Sequence, residues 1–173
     1  MSLVGEDLHK LETPALWVDL DLMEQNIQQM ARYCQMAGVA WRPHTKWIKI
    51  PAIAHKLIDV GAIGITCAKL SEAEVMAASG IKDILVANQV VGEQKVSRLI
   101  NLRRHADVMV AVDNLENAAD ISASALQSGV RIRVLIELNT GMDRAGYEPV
   151  DMATEFAHQL TGLPSHHSLS YLQ

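Results

Sequence analysis

Short apolar runs alternate along the chain with longer segments in which apolar residues recur every three or four positions. Ala15 to Leu20 is a run of the first kind and predicts a buried strand. Asp21 then opens a helix with Glu24 as its capping-box partner. Ile27, Met30, Ala31 and Cys34 mark the apolar face of that helix, and Gly38 its end. Trp41 to Lys49 begins as a second strand and stops before Pro51, a residue suited to the first turn of a helix that runs to about Val60 and ends at Gly61. Ile63 to Ala68 is the third strand, and Ser71-Glu72-Ala73-Glu74 is a capping box for a helix closed by Gly80. Asp83 to Asn88 is the fourth strand, with a helix from about Glu93 to Arg104. Asp107 to Val112 is the fifth, and Asp113 or Asn114 caps a helix that ends before Gly129. Arg131 to Leu138 is the sixth, and Val150 to Leu160 forms the last helix. Leu169 to Gln173 reads as the stub of a further strand.

Strands that alternate with helices imply an α/β fold with a parallel sheet. The rhythm alone suits a doubly wound open sheet as well as a (β/α)8 barrel. A chain of 173 residues, 49% of them hydrophobic, can bury a core as one domain. The net charge of −5 gives no basic footprint for nucleic acid. Two cysteines, Cys34 and Cys67, lie far apart and suit a reducing compartment better than a disulfide framework. No apolar run approaches membrane-spanning length and the first residues have no signal-peptide core, so the expected location is cytoplasmic.

The chemistry concentrates in Trp41-Arg42-Pro43-His44-Thr45-Lys46-Trp47-Ile48-Lys49. In a strand Arg42, His44 and Lys46 share one face, and three such groups on one face call for an anionic or polar ligand. Positive neighbours make a lysine a better nucleophile towards a carbonyl carbon at neutral pH. An exposed basic edge strand is the plain alternative. Arg42 is expected deeper than the other two, in an ion pair with a barrel carboxylate such as Asp19.

Arg42-Pro43-His44-Thr45-Lys46 resembles the Arg-Pro-His-x-Lys motif of the D-threonine aldolase and D-serine dehydratase group of pyridoxal-phosphate (PLP) enzymes. Two later stretches extend the resemblance: Gly64 to Glu74, which looks like the family's Cys-Ala-Lys-Leu-Gly-Glu-Ala-Glu block, and Glu137 to Gly146, which looks like its Gly-Met-x-Arg-x-Gly segment. The likeness runs from about Glu12 to about Pro149. It implies the alanine-racemase type of parallel (β/α)8 barrel, PLP as cofactor, and Lys46 as the lysine that forms a Schiff base with it. It also places Arg144 near the cofactor, with the phenolate oxygen or a substrate carboxylate as its partner. His44, on the same face as Lys46, is expected either beneath or beside the cofactor or as a structural histidine hydrogen-bonded inside the barrel. Trp47 departs from the family pattern, which often has threonine after the lysine.

A closed barrel needs eight units and typically about 250 residues. The sequence supplies about six, so residues 1–173 are expected to form an incomplete barrel domain without the family's C-terminal β domain. The family's divalent metal would take its ligands, and the PLP phosphate its contacts, mostly from later segments. Paired His166 and His167 on a polar tail are not expected to hold a metal.

In such barrels the chemistry lies at the C-terminal ends of the strands. Asp19, Lys46, Lys69, Asn88, Asp113, Glu137 and Asn139 fall there, with Gln89 offering hydrogen bonds at the mouth. Lys69 is expected to pair with Glu72, Arg144 has Asp143 as its alternative partner, and Cys67 is expected to be a buried packing residue. The function implied first is retro-aldol cleavage of D-β-hydroxy amino acids to glycine and an aldehyde. D-serine dehydration, amino-acid racemisation, a PLP-binding module without catalysis and an inactive fragment stay open beside it. The intact parent is expected to be a homodimer acting on a small D-amino acid.

Overall fold

The computed structural model describes residues 5–163 and the backbone of residues 169–171. A parallel sheet is built from β1 (Ile65–Cys67), β2 (Asp83–Val86), β3 (Asp107–Val112), β4 (Ile132–Ile136) and β5 (Leu169–Tyr171). Between and around these strands run α1 (Leu20–Met36), α2 (Pro51–Asp59), α3 (Leu70–Ala78), α4 (Glu93–Arg103), α5 (Leu115–Gln127) and α6 (Asp151–Thr161). The strand order is β1-β2-β3-β4-β5, with every neighbouring pair parallel. A doubly wound sheet reverses its strand order at a switch point. Here each strand pairs with the next, so the winding is single, and the choice left open by the hydrophobic rhythm falls to the barrel.

The two faces of the sheet carry different chemistry. Ile84, Val86, Val108, Val110 and Val134 point to the helices and are at most 1% exposed. They pack against Met76, Leu99, Ile121 and Phe156 in the main core. Each such burial contributes roughly 1.5–3 kcal/mol. Alternate residues point to the concave inner face. There Arg133 of β4 reaches Asp83 of β2 across the intervening β3, with Nη2 3.2 Å from Oδ1. That reach requires the sheet to curl, as a barrel wall does.

Several expected elements take another form. Residues 15–19 carry no strand, and Leu16, Trp17 and Val18 are exposed. A strand needs neighbours for its N–H and C=O groups, and among the described residues none runs beside this segment. Asp19 is instead the N-cap of α1, its Oδ1 accepting from the Leu22 N–H at 3.0 Å, so the capping box expected at Asp21 is not used. The lysine stretch lies along β1 but makes one bridge, His44 with Thr66. Pro43 has no N–H to give to a neighbouring strand, and beyond Thr45 the chain turns. The box expected at Ser71 also fails: α3 starts at Leu70 with Lys69 as N-cap. Asn114, not Asp113, caps α5. The expected stub is β5, paired with β4. The tail histidines His166 and His167 lie outside the described residues.

Candidate functional site

The mouth of the sheet is formed where β1 to β4 end and the chain turns into its helices. A cavity of about 360 Å³ opens there, with Lys46, His44, Arg144 and Glu137 around it and Ala68, Ala87 and Asn88 in its wall. The structure therefore brings together the three residues singled out for the cofactor, His44, Lys46 and Arg144. A larger hollow of about 540 Å³ on α1, lined by Asn26, Gln29, Met30 and Tyr33, offers no acid or cation for chemistry.

Lys46 stands at the start of a turn. The Thr45 N–H donates to the Thr66 carbonyl at 2.8 Å, and the Thr45 hydroxyl donates to the same oxygen at 3.0 Å. The Thr45 carbonyl accepts from the N–H groups of Ile48 at 3.0 Å and Lys49 at 2.8 Å, so Lys46, Trp47 and Ile48 span the loop. The Lys46 N–H donates to His44 Nδ1 at 3.3 Å. That bond makes Nδ1 the acceptor and leaves the ring proton to Nε2. Burial and then the Lys46 charge lower the His44 pKa below its ordinary value. Both favour the neutral ring. No hydrogen bond or ion pair engages the Lys46 ammonium among the described residues.

Arg144 arrives from the loop after β4. Asn139 Oδ1 accepts from the N–H groups of Gly141 and Asp143, each at 3.1 Å, and Asn139 Nδ2 donates to Asp143 Oδ1 at 2.9 Å. Asp143 is thus committed to Asn139, and the alternative Arg144–Asp143 pair does not form. The loop closes back on the strand end: the Tyr147 N–H donates to the Glu137 carbonyl at 3.0 Å, and the Asn139 N–H to the Tyr147 carbonyl at 2.8 Å. Gly146 makes this fit possible. Its φ is +94°, and a Cβ there would lie 2.7 Å from Asn139 N and Leu138 C. No other residue type combines that backbone with that approach.

The remaining mouth residues are bonded to one another. Gln89 Nε2 donates to Glu137 Oε2 at 2.6 Å and to Asp113 Oδ2 at 2.9 Å, and the Gly146 N–H donates to the same Asp113 oxygen at 3.1 Å. Asn88 Nδ2 donates to the Ala68 carbonyl at 3.2 Å. Asn88 and Gln89 thus donate hydrogen bonds at the mouth, as expected from sequence.

Two expected partnerships are replaced. Glu72 pairs with Lys49, Nζ to Oε1 3.1 Å, and not with Lys69. Lys69 is the N-cap of α3, and it meets Glu72 through its backbone N–H. Arg42 pairs with Asp83, Nη1 to Oδ1 2.8 Å, and not with Asp19. It lies below the cavity at the other end of the sheet, so the basic face divides between the two ends. Cys67 is buried as expected, and burial raises its pKa to about 11, which makes it a poor nucleophile. The sequence names Lys49 only as the end of the motif stretch and does not foretell its pairing with Glu72. Its one local signal is the nearby Pro51, which obliges the chain to turn.

The donor set fits an anionic aldehyde such as PLP. Lys46 offers an amine, Arg144 a guanidinium with no partner among the described residues, and His44 a flat neutral ring, all on one cavity. Among the described residues no three His, Cys, Asp or Glu side chains gather as a metal ion would need.

The family model for the alanine racemase N-terminal domain matches residues 18–172. The chain is 39% identical to a D-threonine aldolase from an Arthrobacter species, over 92% of this chain and 42% of that protein. It is 36% identical to a 3-hydroxy-D-aspartate aldolase from Paracoccus denitrificans, over 95% of this chain and 43% of that one. The crystal structure of D-threonine aldolase from Filomicrobium marinum superimposes with a TM-score of 0.89 at 40% identity, covering 96% of this chain and 45% of that one. The chain spans less than half the length of the relatives it matches. With its single-wound parallel strands and a family match over nearly its whole length, the chain belongs to the alanine racemase N-terminal domain family.

Proposed function

We propose that this chain carries the cofactor lysine of a PLP-dependent lyase that cleaves D-β-hydroxy amino acids to glycine and an aldehyde. The observation that carries the reading is that Lys46, His44 and Arg144 line one cavity, with no anion bonded to Lys46 or Arg144 among the described residues. Both cations are exposed and solvated, so an entering anion would find two positive charges free to bind it. Similarity to a D-threonine aldolase and a 3-hydroxy-D-aspartate aldolase supports the reaction class.

Bound PLP supplies an electron sink for the charge that develops on the substrate α-carbon. The chain supplies the rest of this half of the site. Lys46 is the residue whose amine would hold the cofactor. The Arg144 fork binds the cofactor's phenolate oxygen or the substrate carboxylate. The His44 ring, neutral and fixed by the Lys46 N–H, offers a flat surface without adding charge. Glu137, held by Gln89, faces the same space as the one carboxylate lining it.

The test is turnover by the PLP-loaded protein. Glycine is expected from D-threonine and not from L-threonine, and Lys46→Ala is expected to abolish its release. Release of pyruvate from D-serine without glycine from D-threonine would assign a dehydratase instead. Equal turnover by wild type and Lys46→Ala would remove Lys46 from the mechanism.

A further inference from the structure

The turn that presents Lys46 is fixed at its first residue by the buried Thr45, and its last residue, Lys49, needs an explanation. Lys49 has a φ of +52°. That is the left-handed region, which an unbranched L-residue adopts at a cost and which persists where the surroundings impose it. The Lys49 ammonium lies 3.1 Å from Glu72 Oε1 in the first turn of α3. Glu72 is an unusual partner for a surface lysine: its side chain is only 9% exposed, against 53% for Lys49. Its second oxygen accepts from the Ala68 N–H at 2.9 Å.

Glu72 therefore joins two pieces of the cavity. One is the turn that bears Lys46. The other is the end of β1 at Ala68, which lines the cavity and whose carbonyl takes the Asn88 amide. Burial pushes the Glu72 carboxyl up. The hydrogen bond from Lys49, the Ala68 N–H, the Lys49 charge and the Lys69 N–H together outweigh this and leave it below its ordinary value. It is an anion at neutral pH, with Oε2 hydrogen-bonded to the Ala68 N–H and the buried Oε1 in an ion pair with Lys49. Glu72 also serves the start of α3, where it sits in the first turn and accepts from the Ala68 and Lys69 N–H groups; the Lys49 contact adds the tie to the turn.

We infer that Glu72, acting through Lys49, is a positioning residue for Lys46: it holds the Thr45–Lys49 turn in the left-handed closure that aims the Lys46 amine into the cavity. The inference rests on the reading of Lys46 as the cofactor lysine. Glu72 and Lys49 touch neither cofactor nor substrate in this account. They set how often the amine is in place.

The experiment follows the visible absorbance of lysine-bound PLP after mixing, in wild type, Glu72→Gln, Lys49→Met and Lys49→Arg, with thermal unfolding of each. Lys49 is half exposed, so Lys49→Met keeps the fold even if Glu72→Gln loosens it. Glu72→Gln and Lys49→Met are expected to slow the appearance of the band by about tenfold, with Lys49→Met still unfolding in one cooperative transition. Lys49→Arg, which keeps the charge pair, is expected to restore the rate. A wild-type band that both broken-pair variants reproduce at the same rate would overturn the inference and leave the cofactor reading standing. A Lys49→Arg variant as slow as Lys49→Met would also overturn it, because the charge pair would then not be the cause. No band in wild type would overturn the cofactor reading and this inference with it.

Discussion

The two ends of the parallel sheet carry similar side chains in opposite states. At the N-terminal end, Asp83 takes both Arg42 at 2.8 Å and Arg133 at 3.2 Å, and Asp107 takes Arg133 at 2.7 Å and Arg103 at 3.3 Å. Each of these charges has an opposite neighbour. At the C-terminal end, Lys46 and Arg144 line a cavity without an ion pair to either among the described residues, while the carboxylates Asp113 and Glu137, the second of them on the same cavity, are tied to Gln89. The difference separates structure from function. The paired network at the N-terminal end holds strands in place. The cations at the other end are exposed and carry no ion pair among the described residues, which leaves them free for the ligand proposed above.

The sharpest way to break the paired end is Gly64→Ala. A Cβ at Gly64 would lie 2.4 Å from Arg42 Nη1 and 2.5 Å from the Asp83 carbonyl. The clash displaces both partners of one pair, and a loss of about 3 kcal/mol is expected in urea unfolding. Gly146→Ala attacks the open end with a smaller cost, about 2 kcal/mol, because the Arg144 loop can shift as a unit. It is expected to weaken PLP binding as well, read as the midpoint of an absorbance titration, since Arg144 moves with the loop. Asp83→Ala leaves Arg42 and Arg133 short of a partner. These groups are partly exposed, so the loss is held to about 1–2 kcal/mol, with the PLP titration unchanged. Arg144→Gln is the converse. Stability stays within about 0.5 kcal/mol, and PLP affinity drops by about tenfold.

The smallest effect is in pH. The folded Glu72 carboxyl lies below its ordinary 4.5, and the folded His44 ring below its ordinary 6.5. In both cases the unfolded chain takes up its proton first as the pH falls. The stability these groups contribute is therefore present above the ordinary values and is lost as the pH drops through the folded ones. Urea midpoints are expected to decline on acidification from about pH 7, and His44→Gln is expected to flatten the upper part of that decline.

Much of the barrel wall was legible in sequence because its strands are short apolar runs buried on the helix side. Asp107 to Val112 is found as read, and the stub at Leu169 pairs as a strand. The first run, Ala15 to Leu20, has the composition of a strand, yet pairing depends on a neighbour, and composition carries no information about neighbours. The family resemblance is what grouped Lys46, His44 and Arg144, and all three line one cavity. The partners were harder to read. Arg42 chose Asp83, forty-one positions away, and Glu72 chose Lys49, because ion pairs follow the register of strands and the direction of a turn. Neither is visible until the sheet is assembled.

The most direct test of the account is a reduction map. The protein is mixed with PLP, reduced with borohydride and digested, and the pyridoxyl group is located by mass. The account predicts the label on Lys46 and on no other lysine, because Lys46 alone couples a free amine to the cavity with Arg144. Label spread over many lysines, or Lys46 left unlabelled beside another modified lysine, would contradict it.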